Sequence, residues 1–303
     1  MSFKIINFEI ADVAHKIPNE VIDYGVTMSG APLEWNETQG EGIKIGIIDT
    51  GIDLNHEDLH GRVHDYYNFT SQNPKDIADE NGHGTHVAGI IAANKNKIGV
   101  VGIAPKCELY IAKAFDSDGI SETKNVVNAI KWLMLKKVSV INMSFCTKEY
   151  ISDYSNLIKM CFSQGILCVC AVGNDGPGKD TIEYPAKFPE TIAVTAVDIN
   201  KRIANFSSTG PKADIAAPGK DILSTWPKSM YITLSGTSMA TPIITGSIAI
   251  IQGKSKNKFN RLLSCNEIKT ILAMYANDLG EKGKDNSYGY GVFSFGTFNQ
   301  REK

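Results

Sequence analysis

The chain has 303 residues, of which 43% are hydrophobic and 21% charged, and its net charge is −2. That length suits one large domain or two small ones, and the composition is that of a soluble globular protein with a sizeable core. A near-neutral charge with scattered lysines gives no footing for nucleic acid, and no apolar run approaches the roughly 20 residues that span a bilayer, so neither nucleic acid nor membrane is expected as a partner.

The first thirty residues lack the basic start and apolar centre of a secretory signal, so a cytoplasmic location is expected. Cys107, Cys146, Cys161, Cys168, Cys170 and Cys265 form no CxxC pair and read as reduced, mostly buried thiols. Residues 1–25 form a separate N-terminal extension. Within it, residues 3–10 read as a strand or an extended arm, and Pro18 and Gly25 then interrupt the pattern. A short helix follows at 31–35. From residue 43 strands and helices alternate: strands at 43–49, 109–114, 138–143, 166–172, 191–197 and 214–217, helices at 83–93, 122–136, 154–164, 243–251 and 266–276. The lysine-rich stretch 254–258 reads as a solvated loop. One domain over 26–295, with a tail at 296–303, accommodates the whole pattern.

This alternation argues for an α/β fold, a mostly parallel sheet with helices on both faces. In such sheets the site lies outside the carboxyl ends of the strands. Asp49, Ser144 and Asn174 each end a predicted strand, which places them in one cleft.

Three short stretches carry candidate chemistry. Ile47-Ile48-Asp49-Thr50-Gly51 puts a carboxylate at a strand end. Asn81-Gly82-His83-Gly84-Thr85-His86 puts a histidine at a helix start. Gly236-Thr237-Ser238-Met239-Ala240-Thr241-Pro242 sets a serine among small residues, just inside a helix N-terminus that favours developing negative charge. Each alone has a commoner meaning: a turn acid, a capping loop, a Ser/Thr helix cap. A zinc site from His83 and His86 lacks a third ligand and the helical spacing. Gly40, Gly42 and Gly46 precede or lie within their strand instead of following it, which disqualifies a nucleotide loop. Taken together, Asp, His and Ser supply a nucleophile, a base and an orienting carboxylate.

On these three motifs, in this order, the chain resembles the subtilisin family of serine proteases over roughly residues 28–295. The resemblance implies a three-layer α/β fold and a serine endopeptidase working through an acyl-enzyme. Asp49 would orient, His83 would act as base and Ser238 as nucleophile, with His86 a structural histidine. Ala171-Val172-Gly173-Asn174-Asp175-Gly176 resembles the oxyanion segment, with Asn174 as donor and Gly173 beside the substrate. The edges that pair with an extended polypeptide substrate would be Asp118, Gly119 and Ile120 on one side and Ser144, Phe145 and Cys146 on the other. Two departures stand out. Cys146-Thr147 replaces the family's two glycines, which predicts a reshaped primary pocket and narrower selectivity. Ile243-Ile244-Thr245 replaces His-Val-Ala and is expected to alter packing only. Asn94, Asn96, Ile98 and Val100, with Asp58, resemble the family's structural calcium loop. The chain looks most like the intracellular subtilisins, whose short N-terminal extension lies across the site; Ile5-Ile6-Asn7-Phe8 resembles their Leu-Ile-Pro-Tyr element, with Asn7 in place of the protective proline. Substrates would be intracellular proteins, or a single precursor as for a dedicated leader peptidase. A catalytically silent peptide-binding protein is the reading from another class, and the intact triad and Asn174 speak against it. Monomer and homodimer both remain open.

Overall fold

The structure, a computed structural model, describes residues 2–6 and 8–297. Asn7 and the tail beyond residue 297 lie outside the described residues. At its centre is a nine-stranded sheet in the order Ala276–Asn277, Val292–Phe293, Ile215–Pro218, Ile192–Val197, Leu167–Ala171, Val140–Met143, Lys44–Asp49, Glu108–Lys113, Val63–Asn68. Every neighbouring pair is parallel except the first. The central strands are buried along their whole length. That is why they read in sequence as continuous apolar runs instead of alternating ones. The predicted central strands and helices appear within a few residues of their expected bounds.

Helices cover both faces. His83–Ala92 and Thr237–Phe259 share one apolar core with Ile45, Ile47 and Val194; Thr123–Lys136 and Ser152–Ser163 share the other with Ile48, Ile141 and Cys168. The helix predicted at 243–251 is far longer, because it starts at the serine motif and continues through the lysines read as a loop. Lys256 and Lys258 stand in its last turn, where cations complement the helix dipole, and Lys254 pairs with Glu34.

Several strands left no sequence signal. Ile222–Trp226 and Met230–Ser235 form a hairpin whose turn puts Lys228 and Ser229, not glycine or asparagine, at positive φ. Ile120–Glu122 and Phe145–Cys146 are too short to show a period. The N-terminal arm splits into two strands. Ser2–Ile5 is the middle strand of a three-stranded antiparallel sheet, between Ile120–Glu122 and Phe145–Cys146. Glu9–Ala14 adds to the edge of Met230–Ser235. All six cysteines are free thiols, and only Cys146 is partly exposed.

Candidate active site

Asp49 is the last residue of the strand Lys44–Asp49, and His83 the first of the helix His83–Ala92. His83 Nδ1 lies 2.8 Å from Asp49 Oδ1, with both side chains fully buried. The same oxygen accepts from Thr50 N. Two glycines make this meeting possible. Gly82 has φ +99°, and a Cβ there would strike the ring of Trp226; a Cβ on Gly84 would lie 2.2 Å from the Gly51 carbonyl. His86 is distinct in role. Its Nε2 donates to the Ile232 carbonyl at 3.0 Å, and burial pushes its pKa down to about 3, so it stays neutral as a structural group.

Ser238 stands in the first turn of Thr237–Phe259, where backbone N–H groups have no intrahelical acceptor. Pro242, four residues on, has no N–H and so leaves the Ser238 carbonyl out of the helical ladder. Ser144 Oγ fills that vacancy, donating to Ser238 O at 3.0 Å. In return Ser238 Oγ donates to the Ser144 carbonyl at 3.0 Å. His83 Nε2 is buried and without a hydrogen-bond partner among the described residues. The serine therefore rests on Ser144 in this conformation and is not hydrogen-bonded to the imidazole.

Asn174 is held by its oxygen: Oδ1 accepts from Thr237 N at 3.0 Å and from Thr237 Oγ1 at 2.9 Å. This turns Nδ2 toward the nucleophile motif, where a Cβ on Gly236 would come within 3.1 Å of it. An amide donor is thereby fixed beside the start of the serine helix, the placement an oxyanion requires.

The expected substrate edges are brought together, and the arm occupies the space between them. Lys4 pairs with Ile120 on one side and Cys146 on the other; Ile5 pairs with Phe145, and its N–H donates to Gly119 O at 2.8 Å. The alternation of the strand buries Phe3 and Ile5. Phe3 packs edge-on against Phe145 and Tyr154, with ring centroids 5.5 and 5.0 Å away. Phe8 stacks on the His83 ring at 5.6 Å. Asp118 lies in the turn of this edge, its N–H bonded to Asp116.

The loop expected to hold calcium wraps a fully buried carboxylate. Asp58 accepts from Asn96 Nδ2 at 2.9 Å and from Val100 N at 2.8 Å, and burial raises its pKa. Asn94 N donates to the Asp58 carbonyl, and Ile98 N to Asn96 Oδ1.

Three residues escaped the sequence reading. Asp79 ties Thr50 to the start of the His83 helix: it accepts from Thr50 Oγ1, Gly82 N, Thr85 N and Thr85 Oγ1 at 2.6–2.8 Å. An acid just ahead of a helix start was the available signal. Thr245, expected to affect packing only, does more. Its Oγ1 donates to Asn142 Oδ1 at 2.9 Å, and Asn142 Nδ2 donates to Ser144 Oγ at 2.9 Å, so it anchors the relay that ends on Ser238 O. Glu183 comes to the cleft from a loop, and nothing local in the sequence marks it.

A buried Asp–His pair, a serine at a helix N-terminus and a clamped amide at the carboxyl end of a parallel sheet are the parts of a serine protease. The Subtilase family matches residues 40–291. The chain is 38% identical to an intracellular serine protease of Paenibacillus polymyxa, over 89% of this chain and 87% of the other. It is 36% identical to the major intracellular serine protease of Bacillus subtilis (87% and 83%), and 38% identical to subtilisin E of the same species (92% and 71%). The chain belongs to the subtilase family and is a hydrolase of that kind.

Proposed function

We propose that this protein is a serine endopeptidase that cuts extended polypeptide through Asp49, His83 and Ser238, with Asn174 as oxyanion donor, and that its N-terminal arm restrains it. His83 takes the Ser238 proton as Oγ attacks the carbonyl, and Asp49 holds the imidazole tautomer and stabilises the imidazolium. The Ser238 N–H and Asn174 Nδ2 receive the oxyanion, and His83 returns the proton to the leaving amine. The observation that carries this reading is the seating of Ser2–Ile5. It supports a cleft that takes an extended strand, since the arm lies between these edges with an apolar side chain against Phe145 and Tyr154.

The same seating supports restraint, since substrate and arm need the same edges. Phe3→Asp removes a buried ring and places a charge there; loss of ring burial alone costs the docked arm about 2–3 kcal/mol. Labelling of Ser238 by a fluorophosphonate is then expected to run roughly 30–100-fold faster than in the parent chain. Equal rates would show that the arm does not gate the site.

Calcium is proposed as a structural ion. The residues fit it: Asp58 is a buried carboxylate whose described contacts are neutral donors, and Glu57 adds a second acid nearby through Tyr231. Asp58, Asn96 and the carbonyls of Asn94, Ile98 and Val100 would hold the ion, once the Asn96 amide turns its oxygen inward. A bound calcium would neutralise the buried charge and stiffen the loop. A chelator is expected to lower Tm by roughly 4 °C, for an ion present at about a hundred times its Kd. Asp58→Asn should abolish that response, and an unchanged Tm on chelation would remove calcium from the reading.

A cytoplasmic location completes the proposal. It is supported by the intracellular designation of the two similar proteases. Among the described residues no helix is long and apolar enough to cross a membrane.

A further inference from the structure

The arm marks where a substrate side chain would enter the primary pocket. Ile5 is the last residue paired with the cleft edges, and Phe8 already lies on His83. Ile6, between them, lines a cavity of ≈ 350 Å³ together with Asn174. On the protease reading, a substrate residue in its place would immediately precede the bond presented to Ser238 and the oxyanion donor. The arm itself contributes Ser2, Lys4, Ile5 and Ile6 to its lining, and the wall left when the arm departs includes Cys146 and Thr147 with two carboxylates, Asp175 and Glu183, against one ammonium, Lys148.

Glu183 is the inner of the two. Its side chain is 10% exposed, against 48% for Asp175. Gly173 borders it: a Cβ there would lie 3.5 Å from Glu183 Cγ, in ordinary contact. The Cys146 thiol lies against the same carboxylate, and burial with this neighbour raises its pKa well above the usual thiol value. The ammonium at the rim is that of Lys148, 2.7 Å from Asp175 Oδ2 and 3.7 Å from Glu183 Oε1, on a side chain 74% exposed. Lys148 thus shows where a cation sits, and its exposed stem can yield that place to a ligand at little desolvation cost. Cys146 and Thr147 put side chains on its wall, which should favour a long unbranched side chain over an aromatic ring.

Resting on the protease reading above, we infer that the primary pocket selects lysine or arginine immediately before the cleaved bond, with Glu183 as the residue that sets this preference. The arm presents branched, apolar Ile6 to a pocket whose inner charge is Glu183. It is therefore a poor substrate, suited to occupying the cleft without being cut.

The test is a panel of peptide anilides that share an aromatic residue in the Phe3 position and differ only in the last residue: Arg, Lys, Leu or Phe. It is run on the full chain and on full-length Phe3→Asp. A competing arm lowers every rate by one factor and leaves the ratios intact. The expected ratio of kcat/KM for Arg over Leu is roughly 10–100, the scale of a charge-assisted hydrogen bond in a sheltered site. Glu183→Gln, which keeps the shape, should lower that ratio about tenfold or more. Leu or Phe preferred over both basic residues, or a ratio indifferent to Glu183→Gln, overturns the inference. So does fluorophosphonate labelling of Ser238 without turnover of the Arg or Lys peptide. Absence of labelling in both proteins would instead overturn the protease reading itself.

Discussion

Ser238→Ala is expected to lower kcat on unfolded protein by about 10⁶-fold, a scale carried over from subtilisin itself. The buried Asp49–His83 pair has no function without an oxygen to deprotonate, so its removal on top of the serine should cost little more. What remains is the stabilisation offered by Asn174 and by the first turn of the serine helix. The fold should tolerate the change. Among the described residues Ser238 Oγ makes one hydrogen bond, to the Ser144 carbonyl, whereas the reciprocal bond from Ser144 Oγ to Ser238 O involves only backbone at position 238. Circular dichroism and Tm should therefore stay close to the parent while turnover disappears. Activity within tenfold of the parent would mean that another group is the nucleophile, and the assignment of all three residues would fall with it.

The parts that sequence displayed and those it hid follow a physical division. Strands buried on both faces must be apolar throughout, so the sheet centre was visible as runs such as 43–49 and 166–172. The candidate site residues were visible because backbone crowding forces small neighbours around them: Gly84 against the Gly51 carbonyl, Gly236 against Asn174. What stayed hidden depends on partners distant in sequence. The arm's strand Ser2–Ile5 exists as a strand because two edges more than a hundred residues away complete it. Glu183 is an ordinary loop acid until the chain brings it beneath Cys146. Thr245 looked like a packing change because its partner, Asn142, is 103 residues away. Local periodicity carries no record of such pairings.

Asn174→Leu is expected to reduce kcat by ~10²–10³-fold with little change in KM, again a magnitude carried over from subtilisin and not specific to this chain. The geometry gives a reason to expect an effective donor. A free asparagine would spend much of its time pointing elsewhere. Here Oδ1 is clamped by both the N–H and the hydroxyl of Thr237, the residue immediately before the nucleophile. Nδ2 is thereby aimed before the oxyanion forms, and no reorganisation is needed as charge develops. The leucine variant also leaves Thr237 N without its acceptor. That should cost about 1–3 kcal/mol of stability, so rates must be referred to active sites titrated by fluorophosphonate. Thr237→Val tests the clamp separately. It keeps the backbone bond and removes the hydroxyl one, worth about 1 kcal/mol, and should lower kcat roughly fivefold with Asn174 still in place. If Thr237→Val costs as much as Asn174→Leu, aiming rather than charge dominates the donor's contribution. If Asn174→Leu leaves kcat within a factor of about three while the titrated sites remain intact, the oxyanion is stabilised by the helix terminus alone, and Asn174 serves only to bind Thr237.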